Sequence, residues 1–251
     1  MSNSDVSLPK ALWDKTLNAI VDSLGLTEVH DEDGGPYMSL ESHAPMAQGN
    51  VGNVRLFKGD GLHHMVTCSI SVPQIFLDSH MLFAMGKSDT GLPHFTLDSV
   101  KAGDINSFHL DLVQRLDLGS NLDYMNEVYL PLTETTEEAK AIEGLTPAQI
   151  SPRQYAIMSP WMLVQRANDE AFSKIDPYVE AYLNHWLSLI ENGISEKALA
   201  GVSKEELIKR DARNKAIIFD PEIDPVWGRI QMLIGEEAVE QLRNLLKSTS
   251  T

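Results

Sequence analysis

The sequence has one cysteine and comparatively few basic residues. Because Cys68 stands alone among 251 residues, an internal disulfide, a zinc site built from several cysteines and a four-cysteine iron–sulfur cluster are excluded. Lysine and arginine together number 20, against 36 aspartates and glutamates, which leaves a formal net charge of −16. Nucleic-acid binding relies on clustered cations that release counterions from phosphates. This composition therefore argues against a nucleic-acid partner.

The sequence also lacks long apolar runs and the common cofactor motifs. No stretch reaches the roughly 18 consecutive apolar residues of a membrane helix, and the first residues do not join a basic segment to an apolar one as a secretory signal does. We therefore expect a cytoplasmic protein without membrane contact. There is no G-x-G-x-x-G segment, no P-loop and no H-E-x-x-H segment. We expect no bound nucleotide, flavin or metal.

Hydrophobic spacing divides the chain into helical ends and a strand-rich middle. Three- and four-residue spacing predicts a helix from Ser7, its N-cap, to Gly25, its C-cap. The polar, glycine-rich stretch 30–52 is predicted to be a loop, and short segments rich in Val, Ile, Phe and Leu from 54 to 116 predict strands. Helical spacing returns near the C-terminus, at 176–193, 224–235 and 236–246.

One strand shows the clearest pattern, SFHLDLVQRL at 107–116. The apolar residues Phe108, Leu110 and Leu112 alternate with a second, mixed set, which is His109, Asp111 and Val113. This period is typical of a sheet with one strongly apolar face. Short gaps between strands favour antiparallel hairpins, and a further strand is expected within AIMSPWMLVQ at 156–165. We predict that residues 1–251 form one α/β domain, a three-layer α/β/α sandwich around a central antiparallel sheet.

The stretch SHMLFAMGKSDTGLPHFTLDS, at 79–99, contains a candidate pair of catalytic side chains. His80 begins one predicted strand and Asp98 lies on the next, after a turn at GLP. Antiparallel pairing could bring both side chains to one face as a proton relay. On the pattern alone, the more common alternative is a solvated histidine and an aspartate that stabilises a turn.

Several segments occur in an order and spacing that one enzyme family shares. From about Gly61 onward these are the strand with His80, GLPHFTLD with Asp98, FHLDLVQRL, DYMNEVYLPL, SPWMLV, YVEAYLNHWLSLI and DPVWGRIQMLIGEEAVEQL. In this arrangement the sequence resembles the ferredoxin-dependent bilin reductases, which include the phycocyanobilin-forming enzymes, and the related red chlorophyll catabolite reductase.

The resemblance implies an α/β/α sandwich that holds a linear tetrapyrrole between its sheet and the C-terminal helices, without a bound metal or flavin. It implies that reduced ferredoxin delivers single electrons to the bilin and that side chains supply protons. Asp98 is then the main proton donor, His80 its partner and Asp224 a second donor, with Asp220 close enough to be that second acid instead. The bilin propionates need cationic partners, for which the candidates are Arg55, Arg115, Arg153 and Arg166.

Two departures from the family pattern bear on the product. The phycocyanobilin-forming members carry a glutamate on the strand before the histidine, and GLHHMVTCSISV at 61–72 has none. This leaves open a two- or a four-electron reduction. Red chlorophyll catabolite reductase has a glutamate at the position of Asp98 and no matching histidine, so His80 favours the bilin reductases.

We therefore expect a ferredoxin-dependent reductase of biliverdin or a related linear tetrapyrrole. Two alternatives stay open: a reductase or oxygenase of another conjugated ligand on the same fold, and a protein that binds a bilin without reducing it. The basic run SKEELIKRDARNK, at 203–215, is the candidate docking site for an acidic ferredoxin. Its cations are Lys204, Lys209, Arg210, Arg213 and Lys215, and the alternative is a solvated helix face whose cations pair with neighbouring acids.

Overall fold

A computed structural model describes residues 6–248 of the chain. This part contains one antiparallel sheet of nine strands, in the order β1-β3-β4-β5-β6-β7-β9-β8, with β2 paired to β3. The strands are β1 (Thr27–Val29), β2 (Met38–Ser42), β3 (Gly49–Lys58), β4 (His64–Val72), β5 (Leu77–Met85), β6 (His94–Ala102), β7 (Ile105–Val113), β8 (Leu145–Pro147) and β9 (Leu163–Ala167). The predicted central antiparallel sheet is therefore confirmed.

Helices cover both faces of the sheet. They are α1 (Leu8–Leu24), α2 (Leu122–Val128), α3 (Thr133–Lys140), α4 (Pro152–Ile157), α5 (Asp169–Phe172), α6 (Asp176–Asn192), α7 (Lys204–Ile218), α8 (Val226–Ile234) and α9 (Glu236–Lys247). Two single-turn 3₁₀ helices lie at Pro73–Ile75 and Leu130–Leu132. Among residues 6–248, no helix has the length and apolar character needed to cross a membrane.

The first helix begins and ends where its sequence indicates. The Ser7 hydroxyl accepts a hydrogen bond from the Lys10 amide at 3.1 Å, which satisfies one of the free N–H groups of the first turn. Gly25 follows the helix at φ 59°, a left-handed conformation that glycine adopts without steric cost. Helices α6, α8 and α9 also lie where their spacing predicts them.

The sequence pattern predicts a loop over the whole stretch 30–52, and this prediction is wrong in part. It contains β2 and the first residues of β3, which pair with each other around a register shift at Leu40 and Glu41. The segment is polar because this hairpin lies at the sheet edge and exposes one side of each strand. A half-exposed strand with several glycines lacks the apolar alternation from which strands are recognised.

The sheet separates two apolar cores. On what we call the α1 face, Leu82, Leu97 and Leu110 pack with Trp13 of α1 and Trp186 of α6. On the opposite side, which we call the cavity face, Val66, Cys68 and Phe83 belong to a core with Trp227 of α8 and Leu242 of α9. Successive side chains of a strand alternate between the two faces, so a residue's position along its strand determines which core it joins.

Candidate active site

An apolar cavity lies on the cavity face, between strands β5 to β7 and the C-terminal helices. The space within it and at its mouth that no protein atom fills is about 750 Å³. The apolar part of its wall includes Met81, Phe83, Ile157, Met158, Phe219 and Trp227. None of its lining residues is a lysine or an arginine. Such a wall is suited to a large apolar ligand that a few polar groups orient.

Three ionisable side chains face this cavity: Asp98 on β6, His109 on β7 and Asp224 before α8. Asp98 and His109 are directly opposite each other in the register between β6 and β7, so both side chains point to the same face. The His109 Nδ1 lies 3.7 Å from the Asp98 Oδ2, and both side chains are largely buried, with exposed fractions of 19% and 26%. Neighbouring strands thus bring an acid and an imidazole together in an apolar setting.

Asp224 enters the cavity from the turn between α7 and α8. Its Oδ1 accepts a hydrogen bond from the Val226 amide at 3.0 Å, which orients the carboxyl group at the start of α8. Burial raises the pKa of Asp224, and the nearby negative charge of Asp98 raises it further. A carboxyl group with a raised pKa holds its proton more readily and can donate it.

Three residues that line this cavity each carry a buried polar atom with no hydrogen-bond partner within residues 6–248. These atoms are the Asp98 Oδ1, the His109 Nε2 and the Trp227 Nε1. A buried polar atom without a partner costs free energy, about 1–3 kcal/mol. The cavity wall therefore contains one carboxylate acceptor and two ring nitrogens for which a ligand with polar groups would be a partner.

The predicted pairing of His80 with Asp98 on one face is wrong. In the register between β5 and β6, His80 is opposite Ser99, and Met81 is opposite Asp98. His80 therefore points to the α1 face and Met81 to the cavity. A shift of one residue in register moves a side chain to the other face of a sheet, and the pattern of the two strands did not determine that register.

On the α1 face, His80 joins the sheet to the first helix. Its Nδ1 lies 3.1 Å from the Ser69 Oγ and its Nε2 lies 3.0 Å from the Asp78 Oδ1. Its ring lies 5.5 Å from that of Trp13, and only 2% of its side chain is exposed. Burial lowers the pKa of His80 despite the nearby charge of Asp78. These contacts make His80 part of the packing beneath α1.

A second group of charges on the cavity face is sealed from solvent. Here Asp211 of α7 lies 3.0 Å from the His94 Nε2, 3.3 Å from an Arg115 nitrogen and 3.0 Å from the Lys215 Nζ. The same four side chains are at most 1% exposed. The Arg115 guanidinium also donates to the carbonyls of Lys87, Ser88 and Leu92. We call these four residues the sealed cluster; it fastens α7 to the sheet.

The sealed cluster corrects two sequence predictions. Arg115 is fully buried among protein partners and does not line the cavity, so it is not available to a bilin propionate. Lys215 has no exposed side-chain surface, so it cannot contact a docking protein. The spacing of charges in the basic run did not indicate that α7 turns this lysine and Asp211 inward, because i, i+4 pairs are common on solvated helix faces.

The other predicted side chains are distributed as follows. Arg55 donates to both carboxylate oxygens of Glu28 at 2.8 and 2.6 Å on the β1–β3 side of the sheet, and Arg166 is exposed on β9. Arg153 is exposed beside Gln154, which lines the cavity. Asp220 accepts a hydrogen bond from the Glu222 amide at 2.8 Å and is not among the lining residues, whereas Asp224 is.

Among the ionisable residues of the cavity wall, His109 is not predicted from the sequence. The signal for it was present, because the alternation in SFHLDLVQRL places His109 and Asp111 opposite to the strongly apolar face. What was absent was the register that sets His109 directly across from Asp98. Among residues 6–248, no three histidine, cysteine, aspartate or glutamate side chains gather in a way that could hold a metal ion.

Comparison with solved structures identifies the class of fold first. The chain has the fold of the bilin reductases, and the predicted resemblance is confirmed at this level. One of the solved structures with this fold is phytochromobilin synthase from tomato in complex with biliverdin, which matches this chain with a TM-score of 0.73 and 18% sequence identity. The alignment covers 95% of this chain and 82% of the tomato chain. No protein-family model and no curated protein sequence matches this chain.

Proposed function

We propose that this protein reduces biliverdin or a related linear tetrapyrrole, with single electrons from ferredoxin and protons from acidic side chains. The observation that carries the proposal is the apolar cavity with Asp98 and Asp224 in its wall, on a fold whose tomato representative was solved with biliverdin. A conjugated tetrapyrrole is flat and apolar in its middle and polar at its ring nitrogens and terminal carbonyls. The cavity presents the same combination, since its apolar wall carries unpartnered polar atoms.

The chemistry proposed for the site is proton donation to a substrate that gains electrons one at a time. Each added electron makes the substrate more basic, and a proton must follow for the reduction to go forward. Asp98 and Asp224 are the donors in this proposal, and the raised pKa of Asp224 supports its part in it. His80 has no such part, because it lies on the other face of the sheet.

The propionate groups of the substrate extend past the mouth of the cavity in this proposal, because no cation lines its wall. Arg153 is the candidate partner for them. It is exposed, it adjoins the cavity residue Gln154, and its ion pair with Glu222 is long, at 3.4 Å. An exposed pair of this kind contributes little free energy and can exchange for a ligand carboxylate.

The test of the function is a spectroscopic titration followed by reduction. We expect addition of the protein to shift and sharpen the absorbance of biliverdin, because a buried bilin is held in one conformation. Reduced ferredoxin should then convert the bound pigment to products with fewer conjugated double bonds, separable by chromatography. An unchanged biliverdin spectrum would contradict the proposal. A shifted spectrum without turnover would leave a bilin-binding protein instead of a reductase.

The ferredoxin surface proposed here is the exposed side of α7, which leads directly to the cavity residues Ile218 and Phe219. Lys204, Lys209 and Arg213 are exposed there and Arg210 is half-buried. They form a local positive surface on a chain of net charge −16. An acidic partner would be steered to such a surface, and salt would weaken the attraction.

Charge-reversal variants distinguish specific docking of ferredoxin on α7 from general repulsion by the negative net charge of the chain. We expect Lys209→Glu with Arg210→Glu to lower the association rate with reduced ferredoxin several-fold while biliverdin affinity stays unchanged. The control is Lys140→Glu with Lys174→Glu, which makes the same change in net charge at exposed positions of α3 and before α6. Stopped-flow measurements at low and high salt give the association rate of each variant with reduced ferredoxin. Equal rates for both double variants would show that ferredoxin does not dock on α7.

A further inference from the structure

The imidazole of His109 has an unusual set of neighbours. On one side its Nδ1 faces the Asp98 carboxylate at 3.7 Å. On the other side its Nε2 has no hydrogen-bond partner within the part of the chain that the structure describes, and the ring lines the cavity. One nitrogen thus lies near an acid, and the other is without a partner in the wall of the space proposed for the substrate.

The charged groups that surround His109 are carboxylates from three elements. Asp98 comes from β6, Asp111 from the same face of β7 two residues along, and Asp224 from the turn before α8. On its remaining side, β9 places the apolar Val164 opposite it. The positive charge of Arg229 acts on Asp224 and lowers its pKa by a small amount. Although burial lowers the pKa of His109, the contact with Asp98 and the charges of Asp111 and Asp224 outweigh it and raise that pKa.

We propose that His109 is a further catalytic residue of the reduction, as an imidazolium whose Nε2–H group donates to the bound tetrapyrrole. This inference rests on the proposed function. The position was predicted for His80, and the fold gives it to a residue of a different strand. His109 and Asp98, paired across β6 and β7, then hold a proton next to the substrate.

In this proposal, proton transfer from His109 follows electron transfer to the substrate. An iron–sulfur electron carrier gives one electron to the tetrapyrrole, which becomes a radical anion. The Nε2–H bond of His109 breaks, its electron pair stays on the ring nitrogen, and the proton bonds to the substrate, which becomes a neutral radical. His109 is left as a neutral imidazole beside Asp98. Solvent protons then restore the imidazolium before the next electron arrives.

The direct test compares His109→Gln with His80→Gln, the same substitution on opposite faces of the sheet. Glutamine keeps a hydrogen-bond donor but has no proton to transfer near neutral pH. We expect His109→Gln to bind biliverdin and to lose about 100-fold in the rate of the first reduction. In the wild type the rate should fall as pH rises through the pKa of His109, and this alkaline limb should be absent in His109→Gln and present in His80→Gln.

A second measurement does not depend on bilin or on ferredoxin. The imidazole resonances of His109, followed by NMR against pH, should give a pKa above the ordinary value of about 6.5. That pKa should fall in Asp98→Asn, which removes the facing charge. A His109 that titrates below 6.5 in the wild type would overturn the inference.

The two levels of the proposal fail in different ways. Biliverdin reduction by His109→Gln at the wild-type rate and with the wild-type pH profile would overturn the part given to His109 and leave the proposed function intact. A wild-type protein that does not change the biliverdin spectrum would overturn both, whatever the NMR titration shows.

Discussion

The cavity face of the sheet carries two groups of buried charge that differ in what completes them. In the sealed cluster, one carboxylate lies between an arginine, a lysine and a histidine, and protein atoms surround all four. In the cavity, two aspartates and a histidine leave a carboxylate oxygen and a ring nitrogen without partners. In the first group the side-chain nitrogens of His94, Arg115 and Lys215 lie within 3.3 Å of Asp211, and these contacts fasten α7, although three atoms of the group also lack a hydrogen-bond partner within residues 6–248. The second group borders the cavity, where a ligand would supply the missing partners.

The pKa directions show the same contrast. In the sealed cluster, burial and the Arg115 charge lower the pKa of His94 to about 3, so this ring stays neutral at physiological pH. In the cavity, carboxylates raise the pKa of His109. The pKa values of two histidines on one sheet face are thus shifted in opposite directions, because burial and a nearby cation dominate at His94, whereas carboxylates outweigh burial at His109. Substitutions in either group test whether the two groups differ in this way.

The largest effect is expected for Asp211→Asn. This change leaves Arg115 and Lys215 buried without their counter-charge, and removal of one partner from a buried ion pair costs about 3–5 kcal/mol. Urea denaturation should show this loss in the free energy of unfolding. Asp123→Asn, at an exposed ion pair with Lys197, is the control and should cost less than about 1 kcal/mol. Equal stability of the two variants would contradict the assignment of the cluster as the fastening of α7.

Acid should weaken the same region. Because the pKa of His94 is about 3 in the folded protein and about 6.5 in the unfolded chain, its contribution to stability is complete above pH 6.5 and is lost as pH falls toward 3. Between pH 6.5 and pH 5 the expected loss is about 2 kcal/mol. Denaturation across this range measures it. His94→Gln, which keeps a donor to Asp211, should flatten the dependence; an unchanged slope would exclude His94 as its source.

Asp98→Asn should affect turnover far more than stability. The amide keeps the size of the side chain but cannot supply a proton, and we expect a loss of about 100-fold in rate with biliverdin binding retained. A bilin radical should accumulate, visible by electron spin resonance during reduction. Asp104→Asn, in the exposed turn between β6 and β7, is the matched control. Wild-type turnover in Asp98→Asn would remove Asp98 from the mechanism.

A smaller effect is expected for Asp224→Asn. Asparagine can still accept the hydrogen bond from the Val226 amide, so we expect little change in thermal stability. The lost proton should lower turnover about 10-fold, which is below the usual range for general acid catalysis because Asp98 is still present as a donor. Asp220→Asn is the control on the same turn, outside the cavity. If Asp220→Asn lowers turnover and Asp224→Asn does not, the second acid has been assigned to the wrong residue.

The smallest effect on turnover is expected for His80→Gln. Its ring is packed beneath α1, so we expect a loss of about 1 kcal/mol in stability, from altered hydrogen bonds, and the wild-type product and rate. Thermal melting and chromatography of the products measure both. A changed product distribution at wild-type stability would show that the α1 face communicates with the substrate, against the separation of the two faces described here.

Much of the fold could be read from local patterns. The helix at Ser7–Gly25, the strongly apolar side of β7 and the amphipathic helices near the C-terminus follow from spacing, capping and alternation within short segments. The strand pattern selected Asp98 as a candidate, the resemblance to the bilin reductases added Asp224, and both line the cavity. The polar β2–β3 hairpin could not be read, because an exposed edge strand needs no apolar alternation.

The alternation of side chains along each strand and the ends of the helices follow from the amino-acid sequence, because they depend on neighbours a few residues apart. The contacts between residues of different strands follow from the tertiary fold. The loop between β5 and β6 sets a register that turns His80 away from Asp98, and the tight turn between β6 and β7 sets one that brings His109 to it. Likewise, the packing of α7 determined that Lys215 is buried and Lys209 exposed. Side-chain direction along a strand has a period of two, so a shift of one residue in the strand register moves a side chain to the other face of the sheet. No local pattern encodes this register, and for that reason His109, and not His80, lies beside Asp98.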